Sequence, residues 1–170
     1  MTVTRKCYAS RGIGLELAKQ LLVSPDVVVF AACRSPQSAI SLHALLNSSP
    51  TNGTLHVVRM DVTDEASIIS AKDEVAEILQ GRGLDYLINN AAVAPQDDTM
   101  ITLNAKDLIS TMLANVAGPA FVSRSFIPLI EQGDRKVIAN VSTTFASIGT
   151  DCGKGRTTYS ISKYGLNMLV

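Results

Sequence analysis

Tyr159 and Lys163 stand four positions apart in Tyr159-Ser160-Ile161-Ser162-Lys163. On a helix, such positions share one face. The chemistry a pair of this kind offers is proton exchange. A free phenol titrates near pH ~10 and is a poor proton donor or acceptor at neutrality. An ammonium ~4 Å away in a partly desolvated site is worth ~4 kcal/mol, or about three pKa units, in favour of the phenolate. The phenol can then trade a proton with a carbonyl or alcohol oxygen while hydride moves at the adjacent carbon. Tyr-x-x-x-Lys is also frequent on ordinary helices, so the pair gains meaning only from its surroundings.

Those surroundings add hydroxyls, an amide and a phosphate-binding turn. Ser142 and Thr143 end the apolar run 137–141, where they either face a substrate or simply terminate a strand. Asn115 precedes Pro119 in a long helical stretch. The proline has no N–H, so the carbonyl of residue 115 loses an intrahelical partner and can hold a water; the plain alternative is a kink. Ser10-Arg11-Gly12-Ile13-Gly14 leads into Leu15-Glu16-Leu17-Ala18, a glycine turn opening a helix. Helix N-termini attract phosphate, and glycines let the backbone approach a pyrophosphate. Leu17 occupies the third glycine position of G-x-G-x-x-G. Arg34 follows the apolar run 27–33. An acidic residue there would take a ribose hydroxyl, whereas an arginine pairs with a 2′-phosphate. Arg34, which Arg11 could join, favours NADP(H) over NAD(H); otherwise it is a solvated loop charge.

The elements that must position these residues follow from pattern. β-branched runs over 27–33, 55–60, 84–88 and 136–141 alternate with helical patterns over 35–46, 63–80 and 104–131, and a last helix starts near 158. Such alternation predicts βαβ units around a parallel sheet. Ser35 and Pro36 are expected to open the second helix, and Ser48 to Gly53 to form a loop. The first strand reads as degenerate, because Thr2 to Tyr8 is short and charged.

Composition sets limits. The 170 residues suit one domain over 1–170, and 46% hydrophobic with 18% charged residues is globular. Fifteen basic residues balance fifteen acidic ones, so charge gives no reason to expect nucleic acid or a membrane surface as partner. Cys7, Cys33 and Cys152 suit neither a disulfide framework nor zinc, and His43 and His56 lack ligand spacing, so no metal is expected. No apolar leader and no stretch long enough to span a bilayer are read, which makes the cytoplasm the expected compartment. Asn47, Asn52 and Asn140 open glycosylation-like triplets that read as chance.

Taken together these motifs resemble the short-chain dehydrogenase/reductase family over about 9–170. Residues 9–14 resemble its T-G-x-x-x-G-x-G loop, with Cys7 for the threonine and Tyr8 for the first glycine. A non-glycine residue at positive φ there would cost ~1–2 kcal/mol, and the ring would crowd a pyrophosphate. Asn90-Ala91-Ala92 resembles the N-A-G segment, with Ala92 replacing glycine. The resemblance implies that Asp61 and Val62 lie at the adenine, although Asp61 reads equally as the residue opening a helix. It implies a tetrad of Asn115, Thr143 (with Ser142 beside it), Tyr159 and Lys163, and cofactor contacts from residues 10–14, Arg34, 90–92, Tyr159 and Lys163. The 32–36 and 146–149 segments look most like the C-factor and sniffer-type carbonyl reductases. The implied fold is a doubly wound Rossmann sheet with helices on both faces, lacking the family's last strands and leaving the fifth as an edge. The implied function is hydride transfer between NADPH and a small carbonyl or alcohol, in a homodimer built on the long helices. The alternative is an inactive, truncated member that only binds nucleotide or a relative.

Overall fold

Val27–Cys33 (β2) lies between two cores, and its alternate residues divide between them. Val29, Ala31 and Cys33 pack with Ala18 of α1 (Gly12–Leu21) and with Leu22 and Leu42, the last on α2 (Ile40–Asn47). Phe30 and Ala32 point the other way, onto Ile68, Ala71 and Val75 of α3 (Glu65–Leu79) and Val122 and Phe126 of α5 (Gly118–Glu131). A strand covered on both faces has no solvent side to mark with polar residues, which is why this one is apolar throughout. Each large side chain fully buried here contributes ~1.5–3 kcal/mol.

This computed structural model describes residues 3–47, 52–95, 98–149 and 155–169. Its remaining strands are β1 (Val3–Tyr8), β3 (Thr54–Arg59), β4 (Tyr86–Asn89) and β5 (Val137–Asn140). The five run parallel in the order β3-β2-β1-β4-β5. The chain winds one way from β1 to β3, then returns to β1 and winds the other way. The reversal between β1 and β4 opens a crevice beyond their C-terminal ends, the usual ligand position in such sheets. β5 pairs only with β4 among the described residues, and Val137 and Ile138 are 38% and 37% exposed. That is the exposed edge expected from the sequence.

Several expectations need correction. The degenerate first strand is a full central strand in backbone terms, matched to β2 at six positions from Val3↔Val27 to Tyr8↔Ala32. Tyr8 therefore ends β1 in extended backbone, and the left-handed turn of the loop falls on Gly12, with φ +56°. The strain assigned to Tyr8 does not arise. The side chains of Cys7 and Tyr8 lie outside the described residues, as do Cys152 and residues 48–51 of the expected loop. Ser35 and Pro36 open a short 3₁₀ turn (Pro36–Ser38) without a side-chain cap, and α2 starts only at Ile40.

The stretch 104–131 is one continuous rod, made of α4 (Ala105–Met112), a π-helical turn (Leu113–Ala117) and α5. Asn104 caps it, accepting from Asp107 N–H at 2.9 Å. By length and composition Ala105–Glu131 could cross a membrane, contrary to the sequence reading. Its apolar side is spent inside the fold, where Val122, Phe126, Leu129 and Ile130 are buried in the core shared with α3. Gly118 makes this packing possible, because a Cβ there would stand 2.9 Å from the Val62 carbonyl.

Candidate active site

The crevice at the strand reversal is a cleft of about 820 Å³. Its walls include Ser10, Arg11, Gly12 and Ile13 before and within the first turn of α1, then Arg34, Asp61, Val62 and Asn90 to Ala92. The tertiary fold therefore gathers nearly every residue expected at the cofactor. The exceptions are Gly14, which is buried within α1, and Tyr159 and Lys163, which stand outside these walls. No side chain caps the start of α1, and Arg11 and Arg34 are both exposed at the cleft.

Asp61 turns out to serve its own backbone. Its Oδ1 accepts from Thr63 N–H at 2.9 Å and Thr63 Oγ1 at 2.7 Å, while Asp64 caps α3 through Ala66 N–H. Burial pushes the Asp61 carboxyl up, but the Thr63 hydrogen bonds with Arg34 and Arg59 nearby outweigh it and hold the group below its ordinary value. Arg34 thus lies within electrostatic reach of Asp61, and both residues line the cleft. The two histidines have structural partners: His43 Nε2 lies 2.8 Å from the Pro36 carbonyl, and His56 stacks on Phe30. Asn52 donates to the Val23 carbonyl and Asn140 accepts from Asn89.

Tyr159 and Lys163 lie outside the cleft walls, on α6 (Thr157–Leu166), which packs against α4 and the π-turn. Tyr159 is half-buried and Lys163 is buried at 2% exposure. Lys163 Nζ donates to the Val141 carbonyl at 2.7 Å, just beyond β5. Ser142 Oγ donates to Asn167 Oδ1 at 2.6 Å, whereas Thr143 caps the 3₁₀ turn Thr144–Ala146 through Phe145 N–H. Thr143, the better match to the family's hydroxyl, and Ser142 beside it thus have different partners.

Asn115 joins the two halves. Fully buried in the π-turn, its Oδ1 accepts from Val93 N–H at 2.8 Å, and its Nδ2 donates to the Val93 carbonyl at 2.8 Å and to Ser162 Oγ at 2.9 Å. Val93 lines the cleft and Ser162 is on α6. Sequence reasoning attended to the Asn115 backbone carbonyl and missed this side-chain tie, and with it Ser162, which reads as an ordinary helix serine. The π-turn was missed as well. Its only written signal is Pro119, which has no N–H for the carbonyl four residues back, while Gly118 N–H reaches Leu113.

Burial lowers the Lys163 pKa. Between the folded value and the ordinary one, the unfolded chain binds more protons, so stability rises with pH through that window. Comparing wild type with Lys163→Met by urea denaturation, we expect the stability difference to move in favour of lysine as pH climbs from 7 toward ~10. A difference independent of pH would contradict the direction of the shift.

A doubly wound parallel sheet with a glycine turn at its crevice and a Tyr-x-x-x-Lys helix beside it defines a nucleotide-dependent oxidoreductase class. The chain belongs to the short-chain dehydrogenase family, whose sequence model matches residues 8–170. An uncharacterized oxidoreductase of Schizosaccharomyces pombe is 32% identical over 173 residues, covering 98% of this chain and 66% of that protein. The chain thus spans just under two thirds of that relative's length. Among solved structures, the NADPH-bound carbonyl reductase from chicken fatty liver is similar at TM-score 0.89 and 33% identity, covering 99% of this chain and 69% of that one. The carbonyl reductase Sniffer of D. melanogaster is similar at TM-score 0.88 and 26% identity, covering 99% and 72%.

Proposed function

We propose that this chain carries the nucleotide-binding and proton-transfer parts of an NADP(H)-dependent reductase for small carbonyls or alcohols. The observation that carries the reading is the single cleft wall formed by the α1 N-terminus, Arg34, Asp61 and residues 90–92, next to the Tyr159 helix. A volume of about 820 Å³ suits a dinucleotide-sized ligand. The α1 N-terminus would hold the pyrophosphate, Arg34 and Arg11 the 2′-phosphate, and Asp61, Val62 and residues 90–92 the adenosine end. NADP(H), when bound, supplies or accepts the hydride. The NADPH bound in the chicken carbonyl reductase supports the same choice of cofactor.

The chain's own part is proton transfer and orientation. Tyr159 Oη gives its proton to the carbonyl oxygen in reduction and takes it back in oxidation. Lys163, one turn further along α6 with its Nζ held by the Val141 carbonyl, supplies the positive charge on this side of the site. Thr143, whose hydroxyl accepts from Phe145 N–H and keeps its own proton, donates to the same oxygen and aims it at Tyr159, whereas the Ser142 proton goes to Asn167. The Asn115 carbonyl holds a water that returns protons from solvent. Outward on α4, the start of the π-turn and α6 stand Ile109, Leu113, Ile161 and Tyr164, each at least 41% exposed, which supports a homodimer through these helices.

The test is NADPH consumption by the purified chain with a panel of aldehydes and ketones. Expected is carbonyl-dependent oxidation of NADPH faster than of NADH. Nucleotide binding without turnover would leave the nucleotide-binding, non-catalytic reading in its place.

A further inference from the structure

We propose that Asp98 is a positioning residue for Tyr159, a role that rests on the reductase reading above. A helix start leaves four N–H groups without intrahelical partners. At α6 the N-cap residue is Arg156, in left-handed backbone with φ 61°, and its side chain caps nothing. The cap comes instead from a connection 60 positions earlier in the chain. Thr158 N–H donates to Asp98 Oδ1 at 3.1 Å and to Oδ2 at 3.3 Å. The Thr158 hydroxyl also donates to Oδ2. The Asp98 carbonyl accepts from Thr157 N–H at 3.1 Å and Thr157 Oγ1 at 3.2 Å. The bonds to the carboxylate are charge-assisted and sit at the positive end of the helix dipole.

Thr158 is fully buried, so no water can replace the carboxylate without rearrangement. The connection that carries Asp98 is also the one that leaves β4 past the nucleotide cleft. It meets α6 twice, directly at Thr158 and through Val93 and Asn115 at Ser162, one turn further on. Tyr159 stands between these anchors. Lys163 is held separately, by the Val141 carbonyl. Asp98 therefore fixes the first turn of α6, and with it Tyr159, without touching the nucleotide walls or the Lys163 anchor.

The experiment compares wild type, Asp98→Ala and Asp98→Asn, with kcat expressed per NADPH-binding site. Misplacing a reacting group by about an ångström costs ~100-fold. We expect Asp98→Ala to lower kcat by ~30- to 100-fold while the NADPH Kd and carbonyl KM stay within about twofold. Asp98→Asn should recover most of the loss, because its amide oxygen still accepts from Thr158 N–H. Amide hydrogen exchange should quicken at 157–160 and not at 162–166 in the alanine variant. A purely structural role would instead reduce the number of binding sites and leave kcat per site unchanged. That outcome overturns the proposal, as does an equal loss in both variants or a parallel loss of NADPH affinity. If wild type shows no turnover, the reductase reading fails by itself. The exchange comparison then decides Asp98 alone, and unchanged protection at 157–160 overturns it.

Discussion

Tyr159→Phe is expected to cut kcat by about 10³-fold while leaving NADPH affinity unchanged. The substitution removes one oxygen and keeps the ring. Because Tyr159 is half-buried on α6 and stands outside the walls of the nucleotide cleft, packing and cofactor seating should persist. What disappears is the only proton this proposal assigns to the carbonyl oxygen. General acid–base catalysis by one group is worth ~10²- to 10⁴-fold, so a loss in the middle of that range is the natural size. Stopped-flow NADPH oxidation with saturating carbonyl measures it, and fluorescence titration of NADPH checks that binding survives. Retention of more than about a tenth of wild-type kcat would mean that another group or a water donates the proton.

Arg34→Ala should weaken NADPH binding by ~10- to 150-fold, the equivalent of ~1.5–3 kcal/mol for a hydrogen bond to a charged group. NADH binding should change little, since that cofactor has no 2′-phosphate. Arg34 is exposed, follows β2 directly and lies in the electrostatic neighbourhood of Asp61. An arginine held there meets a phosphate without crossing the sheet. Removing it should also relax the pull on the Asp61 carboxylate, which should titrate at higher pH in the variant. Thermal shifts with each cofactor read the preference. Equal loss of NADPH and NADH stabilisation would assign Arg34 to the fold or to the pyrophosphate instead.

The long rod from Ala105 to Glu131 shows how local and global information combine. Its helical period and Asn104 cap are written in sequence, because both depend on neighbours within a few residues. The π-turn at Leu113–Ala117 is not, because it reflects a choice among i→i+4 and i→i+5 bonds that packing decides. That turn puts Asn115 where its amide can pair with the Val93 backbone and reach Ser162. The sequence reading found the residue and assigned it to the site through its backbone carbonyl, whereas the ties the fold displays are those of its side-chain amide.

By itself the sequence determined the alternation of strands and helices, the glycine turn, Arg34 and the Tyr-x-x-x-Lys spacing. All of these are local: period, cap and turn chemistry act over a few residues. Family resemblance then ordered the motifs along 170 residues. Only the tertiary structure decided that β1 is the central strand despite its charged composition, because strand order depends on which neighbours close the sheet. It alone separated Ser142 from Thr143, gave Asp61 to Thr63, and brought Asp98 to the start of α6. Those contacts span up to 60 positions of chain, and hydrogen bonds at that distance leave no periodicity for a sequence to carry.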